Sequence, residues 1–414
     1  MWGPVRSDFL YPTKKRSPYV SAGTVSKFRN GVLFIMKPSA LSNPFLRWGV
    51  PLLLLAVFVI FTIVINQVDK VELINRSGQT FEKAVVTQIL QDNLQSDGTR
   101  VGEQRLMVRI LTGERAGEEV ETTSSSGYLF GAGCTEGMHV ILMQSVAGDS
   151  IVTSVYTQDR ELVLYVFAAL YLVVLCLVGG KQGFKGALGL VFTFACILFV
   201  YLPLVYRGWS PFWVAVLVCA VTTLVTMYLI GGPTAKTFVA TGGTVAGVII
   251  AGVAATLFSM ASGISGWNVS DIESLLTLWN VSGIQVGGLL FSGLLISSLG
   301  AVMDVSMSIA SSMEEIYRQN PTLTRPQLFQ AGMHVGRDMM GTDSNTLILA
   351  FAGSSVSMLV LNYAYDLPYQ QIINSNNIGT AVMEGLSGSF GIVLAVPATV
   401  LLATFCLTHS SKAD

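Results

Sequence analysis

The sequence predicts a membrane-embedded all-α bundle of about eight transmembrane helices, with a small extracytoplasmic all-β domain inserted after the first helix. Three observations predict it. Apolar residues make up 51% of the 414 residues, while Asp, Glu, Lys and Arg reach only 12%, about half the share that covers a soluble surface. Eight stretches are long and apolar enough to cross a hydrocarbon core of about 30 Å. Between the first and the second of them the texture changes, and residues 67–160 hold thirteen acidic and eight basic side chains. A mean hydropathy of +0.60 agrees. The net charge of −1 excludes the strongly basic footprint of a nucleic-acid binder.

Residues 1–48 form a basic tail, with Arg6, Lys14, Lys15, Arg16, Lys27, Arg29, Lys37 and Arg47 against Asp8 alone. Residues 49–66 (GVPLLLLAVFVIFTIVIN) carry no charge, and INQVDK after them offers no small-x-small cleavage site. This is an anchor helix, its basic side held in the cytoplasm. Residues 67–160 contain five alternating runs, FEKAVVTQIL, RLMVRILTG, EEVETTSS, HVILMQSV and SIVTSVYT, separated by Gly-, Asp- and Asn-containing turns. Alternation over such short runs is the signature of strands, and five of them fit a compact OB-like barrel. Its single cysteine, Cys134, has no partner there for a disulfide.

Residues 161–410 supply seven further spans, near 161–179, 186–206, 211–231, 237–260, 283–310, 344–363 and 386–408. Alternating sides place Lys181, Lys185, Lys236, Arg318, Arg325, Arg337 and Lys412 with the tail, fifteen basic residues in all, and leave only Arg207 in the short outer loops. Both termini are therefore expected in the cytoplasm. WNVSDIESLLTLW (267–279) reads as an outer interfacial helix. Residues 313–341 read as a cytoplasmic segment of two short helices broken near Pro321. Gly243/Gly247 and Gly283/Gly287 are G-x-x-x-G pairs, and Gly388/Gly391 and Gly293/Ser297 add small faces for close helix packing. Pro397 is expected to kink the last span.

Asp304 is the most informative side chain. It is the only ionisable residue between Ser274 and Met313, and it lies ten residues, about 15 Å, before Glu314. A carboxylate near mid-bilayer costs about 2.5 kcal/mol or more unless paired, hydrated or protonated, which makes a functional role the default reading. Ser308 and Ser311 follow at i+4 and i+7 on the same face, so the group resembles a cation or proton site. The bland alternative is a protonated Asp bonded to a neighbouring helix as packing glue. A second constellation, HVGRDMMGTDSNTLILAFAGSS (334–355), places Arg337, Asp338 and Asp343 just before a span that Asn345 and Thr346 enter. Asp343 reads equally as an N-cap acid and as part of a charged cytoplasmic gate below Asp304.

No enzyme motif survives inspection. GGPTAKT (231–237) has Ala235 where a phosphate-binding loop needs glycine before Lys236, and it is a turn between spans. HExxH and G-x-S-x-G are absent from the sequence. No catalytic residue, metal ligand set or cofactor is expected.

Two stretches, GAVMDVSMSIASSMEEI (300–316) and GRDMMGTDSNTLILAFAGSS (336–355), resemble signature segments of the bacterial YibE/F-like membrane proteins. The order of parts resembles that family too, over roughly residues 50–410. The resemblance implies a bacterial inner-membrane protein of the kind described as a permease, and it carries over no functional residue. The expectation is a transporter, proton- or cation-coupled, with Asp304, Ser308, Ser311, Asn345 and Thr346 binding a small solute or ion and Arg337, Asp338 and Asp343 gating it. The alternative is a non-transporting envelope scaffold or sensor that binds a protein partner through residues 67–160. The lipid bilayer is the one partner both readings share, and self-association stays open.

Overall fold

The computed structural model describes residues 58–68, 78–125, 131–147, 150–267 and 272–410. The basic tail, the first half of the anchor and Lys412 lie outside the described residues. The chain divides into two compact units, one of residues 69–191 and one of residues 1–68 with 192–414.

The first unit holds a closed five-stranded barrel. Strands β1 (Gln79–Gln91), β2 (Gln104–Ile110), β3 (Glu119–Ser124), β4 (His139–Ala147) and β5 (Ser150–Gln158) close in the order β1-β2-β3-β5-β4. Only the β3–β5 pair is parallel. All five alternating runs became strands, because alternation puts one set of side chains inside. Ala84 and Val86 of β1, Leu106, Val108 and Ile110 of β2, Val140 and Leu142 of β4 and Val155 of β5 form that core. A polar knot is built around buried Gln104. Its amide donates to Asp92 Oδ1 (2.8 Å), and its carbonyl accepts from the Cys134 N–H (2.8 Å). Arg100 donates to Asp92 Oδ1 (2.6 Å) and Asn93 Oδ1 (2.9 Å). Cys134 is a free thiol, pushed above its usual range by burial, and so is unreactive.

The barrel core is complete within residues 84–155, so a fragment of residues 68–158 is expected to fold alone. Circular dichroism should show β structure and a cooperative melt; a helical or unfolded spectrum would contradict this. The Gln104 hydrogen bond, with Arg100, holds the Asp92 carboxyl below its usual range. A depressed carboxyl stabilises the fold above its unfolded value of about 3.9 and stops doing so as pH falls through the folded value. The melting temperature of that fragment should therefore fall on acidification below about pH 4, and less steeply in Asp92→Asn.

Helix α2 (Glu161–Cys196) follows β5 directly. Lys83 of β1 binds Glu161 in its first turn and Asp159 at 3.3 Å, which ties the barrel to the helix start. At Gly180 the backbone is non-helical, φ 54°, ψ −132°. A Cβ on Gly183 would lie 2.1 Å from the Leu175 carbonyl. An unbroken helix separates residues eight apart by about 12 Å, so the chain bends sharply back here. The connection carrying Lys181 and Lys185 is thus a helical corner at Gly180.

In the second unit the described part of the anchor, α1 (58–66), packs Phe58 on Phe192. The helix beyond Cys196 passes through a π turn (Ile197–Tyr201) into α3 (Leu202–Tyr206). Pro203 has no N–H to offer the Phe199 carbonyl one turn back. The Asn66 amide donates to that oxygen instead, at 2.8 Å. Arg207 donates to Val64 O (3.0 Å) and Gln67 O (3.1 Å), closing the end of α1. The one basic residue outside the predicted charge bias has a structural task.

The bundle itself comprises α4 (Pro211–Gly231), α5 (Ala235–Ser262), α7 (Leu289–Gln319), α8 (Arg325–Ser354) and α11 (Asn376–Ser410), with short α6 (Ile272–Ser282), α9 (Val356–Ala364) and α10 (Tyr369–Ile373). Among the described residues five helical runs are long and apolar enough to cross a membrane, or six when α8 and α9, bent by 57°, count as one. Glycine sets the closest contacts. A Cβ on Gly247 of α5 would meet Val302 at 2.5 Å, Ala395 at 2.8 Å and the Gly391 carbonyl at 3.0 Å. Gly388 lies equally close to Leu347.

Several expectations need correction. Gly283 has φ +72° and open space around it; it ends α6 as a left-handed cap and forms no helical pair with Gly287. Gly293 also meets nothing within 4 Å, so the Gly293/Ser297 face is not packed. Pro397 lies inside α11, which extends on both sides of it. Residues 313–341 are not two short helices. The break at Pro321 is real, but α7 runs up to Gln319 and α8 runs from Arg325 through 341 to Ser354. Thr324 and Gln327 form a capping box at the start of α8, and Gly332 and Gly336 seat it against Met313 and Val396.

Candidate functional site

Asp304 is the midpoint of α7, fifteen residues from each end (304 − 289 and 319 − 304). The helix buries Leu295, Ser298, Val302, Val305, Ser306, Ile309 and Met313. Its opposite face carries Gly293, Ser297, Gly300 and Asp304, at spacings of four, three and four, and all four are exposed. Ser308 and Ser311 continue this face as half-buried residues. Asp304, Ser308 and Ser311 thus share one face of α7, on the flank of the bundle.

Helix α8 runs antiparallel beside it. Gly336 lies against Ile309, and Gly332 against Met313. Counting five residues from the first contact (309 − 5, 336 + 5) sets Asp304 level with Gly341. That is within two residues of Asp343 on the adjacent helix. Asp343 is therefore no N-cap. It is the nineteenth residue of α8, half-buried, and Thr324 holds the cap position instead. Asn345 and Thr346 are exposed one turn or less beyond it, and the Thr346 hydroxyl donates to Thr342 O at 3.0 Å. The Ser344 hydroxyl is buried without a partner.

Arg337 and Asp338 are exposed on α8 on the other side of Asp343. The ion pairs among the described residues include neither of them, nor Asp343. A charged latch is thus not formed in this conformation. The ion pairs that do form near this end of α7 are Lys236–Glu314, at 4.0 Å, and Arg318–Glu315. Arg325 donates to Thr408 at 2.9 Å and lies over the Phe405 ring, fastening the start of α8 to α11.

One carboxylate escaped the sequence reading. Glu384 is half-buried inside α11, beside Gly385, which packs on Ile348 and Phe351 of α8. The polar run INSNNIGT before it had displaced the expected start of the span to residue 386. Its isolation as the one acidic residue of α11 was the available signal. Among the described residues no three His, Cys, Asp or Glu side chains gather as a metal site.

The family model for YibE/F-like proteins matches residues 167–409, which is 243 of the 414 residues (409 − 167 + 1). The match takes in α7, α8 and both carboxylates and leaves the barrel outside. No curated protein and no solved structure matches the chain.

Proposed function

The chain belongs to the YibE/F-like family, and on that premise we propose that it is a multi-pass protein of the bacterial inner membrane that works as a permease, proton- or cation-coupled through Asp304 and Asp343. The observation that carries this is the placement of two carboxylates on adjacent helices within two residues of one level, midway along α7. Carboxylates within a membrane-spanning helix pair are costly unless water, a proton or a cation accompanies them, and that requirement is the chemistry a coupled permease uses. Exchange of that proton or cation between the two sides is what coupling requires. Ser308, Ser311, Asn345 and Thr346 supply further oxygens along the same flank, and Arg337 and Asp338 line its inner end.

The topology follows from the same premise. Taking the Glu161–Tyr206 run as two spans about Gly180, the α8–α9 pair as one broken span and α1 as the anchor gives eight. The termini are then cytoplasmic and the barrel extracytoplasmic. A broken span beside the carboxylates also suits a transporter, whose sites gather at interrupted helices.

Proteoliposomes carrying the full chain provide the test. Concentration jumps of H+, Na+ or K+ on a solid-supported membrane should displace charge with at least one of these ions, and Asp304→Asn should not respond to it. Silence of the intact protein to all three would defeat the coupled-permease reading.

The second reading, a non-transporting scaffold or sensor, draws on the barrel. Phe81 and Tyr156 form an edge-to-face pair on its outside, each 46% exposed. An aromatic pair left in solvent is a place for an envelope protein to dock.

A further inference from the structure

We propose that the α7/α8 flank is the interface of a homodimer, and that the site around Asp304 is complete only when a second copy covers it. The inference rests on the permease reading for the role of the site, and on the geometry alone for the interface.

The flank is polar where a lipid-facing surface should not be. Asp304 on α7, and Asp338, Thr342 and Asn345 on α8, are all exposed, whereas the exposed hydroxyls of Ser297 and Thr346 turn back onto Leu294 O and Thr342 O. Acyl chains offer these groups no hydrogen bond, and intramembrane ionisable residues face protein or water instead. The surface is also smooth. A Cβ added at Gly300 of α7 or Gly341 of α8 would meet nothing within 4 Å, so a neighbouring backbone has room to approach closely, as small residues permit in membranes.

The two spans on either side of the barrel in sequence offer this flank few polar partners. Residues 161–179 bring only Tyr165, Tyr171 and Cys176 as polar side chains after Glu161, and Glu161 is held by Lys83. In the anchor, the Asn66 amide is committed to Thr62 O and Phe199 O. A second copy does suit this flank. A two-fold axis along the membrane normal keeps both copies upright and brings residues of equal depth together, as a symmetric dimer requires. The flank is then self-complementary, with the Asn345 amide and the Thr342 hydroxyl as donors and the Asp304 and Asp343 carboxylates as acceptors at neighbouring levels. The paired carboxylates of two copies enclose one shared polar site, sealed from lipid on the side a single copy leaves open.

Disulfide trapping in native membranes tests this. In the full chain, with Cys134, Cys176, Cys196, Cys219 and Cys406 replaced by serine or alanine, single cysteines are introduced as Gly300→Cys, Asn345→Cys and, on the apolar face of α4, Leu224→Cys. Oxidation should move the first two from 44.4 kDa to a band of twice that mass and leave Leu224→Cys unchanged. The wild-type chain in nanodiscs, measured by mass photometry, should be a dimer, which guards against a cysteine variant that fails to fold. A monomeric wild type, equal trapping at Leu224, or trapping of Gly300→Cys by a cysteine placed at Leu170 of its own chain would each overturn the proposal. Trapping persists in Asp304→Asn whether or not that variant is active, so failure of the permease reading is seen separately.

Discussion

Asp304→Asn is expected to reach the membrane at the wild-type level and to lose all complementation of a deletion strain. The substitution keeps size and hydrogen-bonding capacity and removes only the ability to ionise. Assembly should survive, because a neutral amide in a span is cheaper than a carboxylate. Function should not, because a site that binds a cation or passes a proton needs the charge. Asp343→Asn should fail in the same assay, since Asp343 is the second carboxylate within two residues of that level. Ser308→Ala and Ser311→Ala should weaken growth more mildly, as half-buried oxygens beside the charge rather than the charge itself. If Asp304 were packing glue, Asn would bridge helices nearly as well as a protonated Asp. Full complementation by Asp304→Asn would leave the scaffold reading standing in place of the permease.

The legible parts of this molecule are those in which one short-range pattern decides the outcome. Period-two alternation between Gly turns located all five barrel strands, because nothing else satisfies those backbones while burying Leu106, Val108, Ile110 and Leu142. Apolar length likewise located the helices. The errors arose where polarity and secondary structure part company. Arg337, Asp338 and Asp343 lower the hydropathy of residues 334–343 enough to separate them from the span expected at 344–363. The helix nevertheless continues through them, since Gly332 and Gly336 seat one side of it and the charges point outward. That misplacement is why Asp343 read as a cap and the carboxylate pair stayed hidden. G-x-x-x-G spacing is blind to φ, so Gly283 and Gly243 looked equivalent; only the first is left-handed. Arg207 illustrates the reverse case, a charge outside the expected bias that serves two carbonyls at the end of α1.

Gly247→Leu is expected to abolish accumulation of the folded protein, and Gly247→Ala to lower its stability by about 1–3 kcal/mol, the usual cost of overpacking. The reason lies in what surrounds the site. Most glycines that meet a flexible side chain can be enlarged if that side chain turns away. Gly247 meets Val302, a stiff β-branched residue buried in α7, together with the Ala395 methyl and the Gly391 carbonyl of α11. Reciprocally, a Cβ on Gly391 would lie 2.8 Å from the Gly247 carbonyl and from Ala251. The two glycines are thus one contact between the backbones of α5 and α11, and neither side can give without separating the helices. Separation would also disturb the Gly243 seat one turn away, where Thr399 and Ser306 meet at 3.3 Å. Gly186→Ala in α2 is the control. Nothing lies within 4 Å of the added methyl, and alanine is the better helix former by about 0.5–1 kcal/mol, so this change should be neutral or mildly stabilising. Size-exclusion chromatography of the detergent-solubilised variants after a temperature ramp separates these outcomes. A Gly247→Leu protein that elutes and melts like the wild type would show that α5 and α11 do not approach as closely as their glycines indicate.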